Sequence, residues 1–289
     1  MKTIQHLLLV LVAASLAGGC VIVRKGAARV ISPMATQLSE GLMHQSDIEL
    51  VREGSPAFLL MLDALAEAHP DNAAVLVAAA NAQMAYATAF VARDQKERAK
   101  TMYAKAKTYG LRALSRNRRF AAARESPQEE FEAALRFFRK RDAEALFTTA
   151  SAWVMWIIAN SESPAALGEM PRALALMRRV QELAPDIRQG GIDLFYGIYY
   201  TVLPLGGGRD LDQARMHFER AMATGGPDYL MAPVTFAEFY ARYAFDQELF
   251  AATLQAVLAA DPRRPEYTLM NAVAKTRAQG LLDRMDELF

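Results

Sequence analysis

The side chains with most to offer chemically are aromatic. Trp153, Trp156 and Asn160 fall at i, i+3 and i+7, one face of a helix, and Tyr196, Tyr199 and Tyr200 group in a second segment. Rings at such spacing, accompanied by a few hydroxyls and an amide, can line a cavity that holds a mostly apolar ligand. The same stripe serves equally well as packed core, and spacing alone leaves both readings open. Cys20, the single cysteine, is the other reactive candidate. The remaining chemistry is thin. His6, His44, His69 and His217 are scattered without metal-ligand spacing, and one cysteine excludes a thiolate cluster. No GxSxG elbow, HExxH helix or GK[ST] phosphate loop occurs, and Gly206 to Gly208 reads as a turn. Glu129, Glu130 and Glu132 sit where a helix begins, a position at which carboxylates meet the favourable end of the macrodipole. The residues therefore supply no nucleophile, no metal site and no cofactor site, and the chain is not expected to be an enzyme.

The elements that must position these side chains are helical. The 289 residues carry 33 Lys and Arg against 32 Asp and Glu, a net charge of +1 that offers no basic footprint for nucleic acid. With 53% hydrophobic and 22% charged residues the chain has enough apolar surface for a sizeable core. Alanine tracts such as Ala78 to Ala80 and Ala121 to Ala123 favour helix over sheet.

The first segment is a targeting sequence in outline. Lys2 precedes an apolar stretch from Leu7 to Leu16, and Ala17, Gly18 and Gly19 lead to Cys20. Leu16-Ala17-Gly18-Gly19-Cys20 resembles a bacterial lipobox, although the residue three before the cysteine is Ala17 instead of leucine. The expectation is a signal peptide over residues 1–19, a lipidated Cys20 with a lead-in to residue 54, and one helical domain over residues 55–289. Ordinary signal cleavage and an uncleaved anchor running to Val23 are the alternatives. Removal of residues 1–19 takes Lys2 and no acid, leaving 32 basic and 32 acidic residues, so the body draws its stability from packing alone. A lipoprotein modification brings more than one acyl chain, sufficient for stable attachment. Val21 follows the cysteine, which leaves inner and outer membrane both open.

Punctuation divides the rest into helices of similar length. Ser55-Pro56 predicts a helix start, Asp71 a second, and Asp94 or Gln95 a third ending near Asn117. Ser126-Pro127-Gln128-Glu129 predicts a capping box opening a helix toward Arg139, Asp142 a helix through Asn160, and Pro171 one ending at Ala184-Pro185. Ala73 to Ala92 has no charge and is long enough to span a bilayer, but its alanines, Asn81, Gln83, Tyr86 and Thr88 suit a helix buried among others. Leu194 to Tyr200, with Gly197 and Tyr200, and DLDQARMHFERAMATGGP, with Ala214, Phe218, Ala221 and Pro227, have the spacing of a tetratricopeptide helix pair interrupted by the insertion TVLPLGGGRDL. Ala173, Met177, Val180 and Pro185 form a weaker copy. The fold class expected is all-α, antiparallel helix hairpins packed as a degenerate tetratricopeptide-like array of about four pairs.

Several segments in order are similar to one family, the T-component of TRAP transporters. They are AFLLMLDALAEAHPDNAAVLVAAANAQMAYATAFV, Ala104-Lys105-Ala106 with Tyr109-Gly110-Leu111-Arg112-Ala113-Leu114, GGGRDLDQARMHFERA, and LMNAVAKTRAQGLLDRMDELF. The resemblance covers about Phe58 to Phe289. It implies a lipid-anchored, periplasm-facing protein of the bacterial cell envelope that docks the solute-binding protein of such a transporter. It also implies a homo-oligomer, trimeric, that helps capture or pass a small ligand of hydrophobic character. A general repeat scaffold for envelope assembly is the alternative, with a concave protein-binding surface and no ligand path.

Overall fold

The computed structural model describes residues 41–289 apart from residues 43, 92–94, 205–206 and 265. The expected signal peptide, Cys20, and the positions Ala92, Asp94 and Gly206 lie outside the described residues. Within them the chain is all helix with no strand. In order it forms α1 (Ile48–Ala68), α2 (Ala73–Phe90), α3 (Lys96–Leu114), α4 (Arg118–Ala123), α5 (Gln128–Leu135) and a 3-10 turn (Lys140–Asp142). There follow α6 (Ala143–Ala159), α7 (Pro164–Leu167), α8 (Met170–Leu183), α9 (Gly191–Val202) and α10 (Leu211–Gly225). The C-terminal part holds α11 (Met231–Thr235), which runs on as a π-helical segment (Phe236–Ala241), then α12 (Gln247–Ala259), α13 (Thr268–Leu282) and α14 (Met285–Leu288).

Several expected starts move. α1 begins seven residues before Ser55, capped by the Asp47 carboxylate, which accepts from the Leu50 N–H at 3.0 Å, so Pro56 lies inside the helix. A proline there removes the donor that would bond the carbonyl of Arg52. Tyr86 of α2 repairs the loss, its hydroxyl donating to the Arg52 carbonyl at 3.4 Å. Asn72, not Asp71, caps α2 through its side-chain oxygen. Ser126 makes no cap for α5, which starts at Gln128 without a side-chain cap and ends at Leu135, short of Arg139. α6 does begin straight after Asp142 and end beside Asn160 as expected, but the Asp142 side chain turns back to accept from the Arg139 N–H at 2.8 Å and so serves the 3-10 turn instead of capping α6. The expected bounds of α8 agree with the structure to within about two residues, α9 contains the repeat-like segment Leu194 to Tyr200, and Asp210 caps α10.

Neighbouring helices pack α1 on α2, α2 on α3, α3 on α6, α6 on α8, α9 on α10 and α12 on α13. The short α4 and α5 are inserted between α3 and α6, which departs from a strict hairpin series. α2 is, among the described residues, the one helix long and apolar enough by length and composition to cross a membrane. It packs against α1, α3 and α6, and its polar groups find partners on all three. Asp63 of α1 accepts from Gln83 Nε2 at 3.1 Å and from the Tyr109 hydroxyl at 2.8 Å, and pairs with Lys105. Burial and this neighbouring carboxylate push the Tyr109 phenol well above its usual range.

The largest core cluster joins α3 to α9 around Phe120, Phe131, Leu146, Leu176 and Met177, and a second lies among α11 to α14 around Phe250 and Leu254. Val51 of α1 belongs to the second cluster, and α1 touches α13, so the first helix of the array meets its C-terminal part. The buried Asn271 is fully met: its oxygen accepts from the Leu230 N–H at 3.0 Å and its amide donates to the carbonyls of Asp228 and Pro262.

Candidate functional site

Two close helix crossings place the aromatic side chains. At the first, α3 meets α6 at Gly110. A Cβ on that glycine would stand 2.5 Å from the Thr149 hydroxyl oxygen and 3.0 Å from the Thr149 Cα, so only glycine lets the two backbones approach this closely. One turn from the contact on α3 is Lys107, and one and two turns from it on α6 are Trp153 and Trp156. The Lys107 ammonium consequently lies 4.7 Å from the Trp153 ring centre and 3.7 Å from that of Trp156. Glu169, just ahead of α8, accepts from Trp153 Nε1 at 2.6 Å and pairs with Lys107. Phe131 meets Trp153 edge-on at 6.2 Å. Burial lowers the Lys107 pKa, opposed by its bond to Glu169. The Lys107 ammonium, the Glu169 carboxylate and the Trp153 indole N–H thus answer one another within the chain. Asn160 is no part of it, because it caps α6 and its amide donates to the Trp156 carbonyl at 2.8 Å.

At the second crossing, α9 meets α10 at Gly197, where a Cβ would lie 2.9 Å from three ring carbons of Phe218. Ala214, Phe218 and Ala221 of α10 are buried against it, as the repeat-like spacing requires. The residues beside this contact, Tyr196 and Tyr200 on α9 and His217 on α10, therefore come together as a set of nearly parallel rings. His217 stacks on Tyr196 at 5.1 Å and on Tyr200 at 5.7 Å, and Tyr199 meets Tyr200 edge-on at 5.0 Å. With Leu174, Arg178 and Gln181 of α8 these four rings line a cleft of about 300 Å³. That is at the small end of ligand-sized cavities. At the foot of α10 the Asp210 N–H donates to the Tyr200 carbonyl at 3.0 Å, tying the start of α10 to the last turns of α9.

The electrostatics of the cleft are lopsided. Asp193 approaches His217 Nδ1 at 2.7 Å and Arg220 at 3.6 Å, so its charge is committed to the rear of the imidazole. Gln181 accepts from the Tyr196 hydroxyl at 3.3 Å. Burial pushes the Tyr196 phenol up to about 12 and raises that of Tyr199, while the positive charge of Arg178 opposes the rise at both. The arginines beside it on α8 are engaged elsewhere. Arg172 donates to the carbonyls of Arg124 and Ser126, and Arg179 to those of Arg136 and Phe138 and to Glu182.

Five of the six aromatic and amide candidates thus fall in two places. Trp153 and Trp156 share one lysine, Tyr196, Tyr199 and Tyr200 share one cleft, and Asn160 joins neither. Arg178, Gln181 and His217 are the cleft residues that spacing did not reveal. Arg178 and Gln181 do sit at i and i+3 on α8, but nothing in an exposed Arg and Gln distinguishes them from ordinary surface until α9 is seen beside them. Glu129, Glu130 and Glu132 are exposed on α5. Among the described residues no group of His, Cys, Asp and Glu could hold a metal ion.

Compared with known proteins, residues 44–289 match the family model described as TRAP transporter T-component. No curated protein matches the chain.

Proposed function

The chain belongs to the TRAP transporter T-component family, and from that premise we propose that it is the lipid-anchored, periplasm-facing member of such a system that docks its solute-binding protein. The observation that carries this reading is the family match, which spans the whole described helical body. Cys20 is the anchor, copies of the chain associate as a trimer, and uptake is powered by a separate permease. The tyrosine cleft is where a small molecule is held during capture or transfer. Exposed large side chains on the helical body, Leu60 and Met61 on α1 and Phe245 ahead of α12, suit burial against a protein partner.

The test is retention of proteins from a periplasmic extract of the chain's own host on a tagged form lacking residues 1–20. Recovery of a TRAP-type solute-binding protein in near-equal amount is the expected result. Recovery of envelope-assembly proteins instead would overturn docking in favour of a scaffold. For the anchor, Cys20→Ala is expected to abolish acyl labelling and release the protein from membranes, and continued tight attachment would sink the lipoprotein assignment.

A further inference from the structure

We infer that the cleft between α8, α9 and α10 selects a small organic anion with a flat, unsaturated body, so that its ligand is charged as well as apolar. The inference rests on the reading of this cleft as a ligand site and is independent of docking.

Three observations carry it. First, the walls are ring faces. Tyr196, Tyr200 and His217 lie within 14° to 29° of one another, a stack that offers a planar surface to a planar guest. Second, the uncommitted charge at the cleft is positive. Arg178 lines it, is exposed, and is paired with no carboxylate among the described residues, whereas its neighbours Arg172 and Arg179 are both held by backbone carbonyls. The acid nearest the rings, Asp193, already faces His217 and Arg220. Third, the remaining polar groups are suited to an anionic head. Burial raises the Tyr199 phenol, so its hydroxyl keeps its proton and can donate, and the Gln181 amide nitrogen, whose oxygen already accepts from Tyr196, can donate too. A guanidinium beside hydroxyl and amide donors favours a carboxylate or sulfonate, and the same guanidinium repels an organic cation that the ring faces alone would welcome. The volume of about 300 Å³ sets the scale at one or two fused rings.

The contrast with the tryptophan cluster sharpens the point. There the ring faces are covered by Lys107, a cation whose charge Glu169 answers within the protein. In the tyrosine cleft a cation is present and its answering anion is not supplied by the described residues, which is the arrangement expected where the anion is a ligand.

Three probes that share an indole ring and differ in charge provide the test: indole acetate, indole ethanol and tryptamine. Each is titrated by calorimetry into the full chain and into Arg178→Gln, Tyr200→Ala and Arg263→Gln, with folding checked by thermal melts. The full chain is expected to bind the acetate about tenfold or more tighter than the neutral alcohol, and tryptamine weakest. Arg178→Gln is expected to erase the preference while leaving the alcohol unchanged. Tyr200→Ala should weaken acetate and alcohol alike, and Arg263→Gln, remote from the cleft, should change neither. Equal affinity for acetate and alcohol, tightest binding of tryptamine, binding of none of the three, or a preference that survives Arg178→Gln would each overturn the inference. An intact charge preference with no solute-binding protein recovered from extract would fault docking alone.

Discussion

The tryptophan cluster and the tyrosine cleft are built by the same device and end differently. In each, a glycine lets two helices cross closely, Gly110 against Thr149 and Gly197 against Phe218, and the residues a turn or so away are brought face to face. At the first crossing the third helix delivers Glu169, which bonds the Trp153 indole and neutralises Lys107, so the cluster closes on itself. At the second the third helix delivers Arg178 and Gln181, and the ring faces stay open to a cleft. Aromatic residues at helical spacing are thus neither core nor site by their own nature. The neighbouring helix decides by what it places over the rings.

The sharpest way to break this comparison is truncation on both sides. Trp153 is 3% exposed, and Trp153→Ala is expected to cost about 3–5 kcal/mol of stability, read by denaturant unfolding. Tyr200 is only partly buried, and Tyr200→Ala should cost under about 2 kcal/mol. Equal losses would mean that the tyrosines are core after all. The crossing itself is tested by Gly110→Ala, whose methyl group would overlap the Thr149 hydroxyl and crowd its backbone; a loss of about 1–3 kcal/mol is expected, and a neutral result would show that α3 and α6 separate freely.

Adjacent arginines give a finer contrast. Arg179 is bonded to two carbonyls and a glutamate, so Arg179→Gln should lower stability by about 1–3 kcal/mol. Arg178→Gln should stay within about 0.5 kcal/mol of the parent, because no group in the described structure depends on it. A large loss from Arg178→Gln would make it a structural residue. The smallest effect is on alkaline stability. The Tyr196 pKa rises from about 10 to about 12 on folding, so its contribution is fully present below about pH 10 and is lost as pH rises toward about 12. Tyr196→Phe should flatten that part of the stability profile, and an unchanged profile would remove Tyr196 from the account.

Much of the helical order was legible. Ala173, Met177 and Val180, and Ala214, Phe218 and Ala221, mark buried stripes in the sequence and are buried in the fold. Asn72 in place of Asp71 is a one-residue miss between two good capping residues. Pro56 is a larger one, and its reason lies far away in the chain. The proline reads as a helix start because its missing donor is harmless there, and only the Tyr86 hydroxyl, arriving from α2, makes an interior position tolerable. Asn160, matched by spacing to the tryptophans, instead satisfies the end of its own helix. Short polar side chains have that alternative at every helix terminus, which spacing does not register.

What the sequence by itself determined is local: which segments are helical, which face of each is apolar, and which glycines and alanines permit close packing, because propensity and periodicity act within a few residues. Which aromatic cluster is filled and which is open was decided by tertiary structure. Lys107 and Glu169 reach Trp153 from separate helices, as Arg178 and His217 reach Tyr196, and the charge left over at each place is a sum across three helices that no single segment contains.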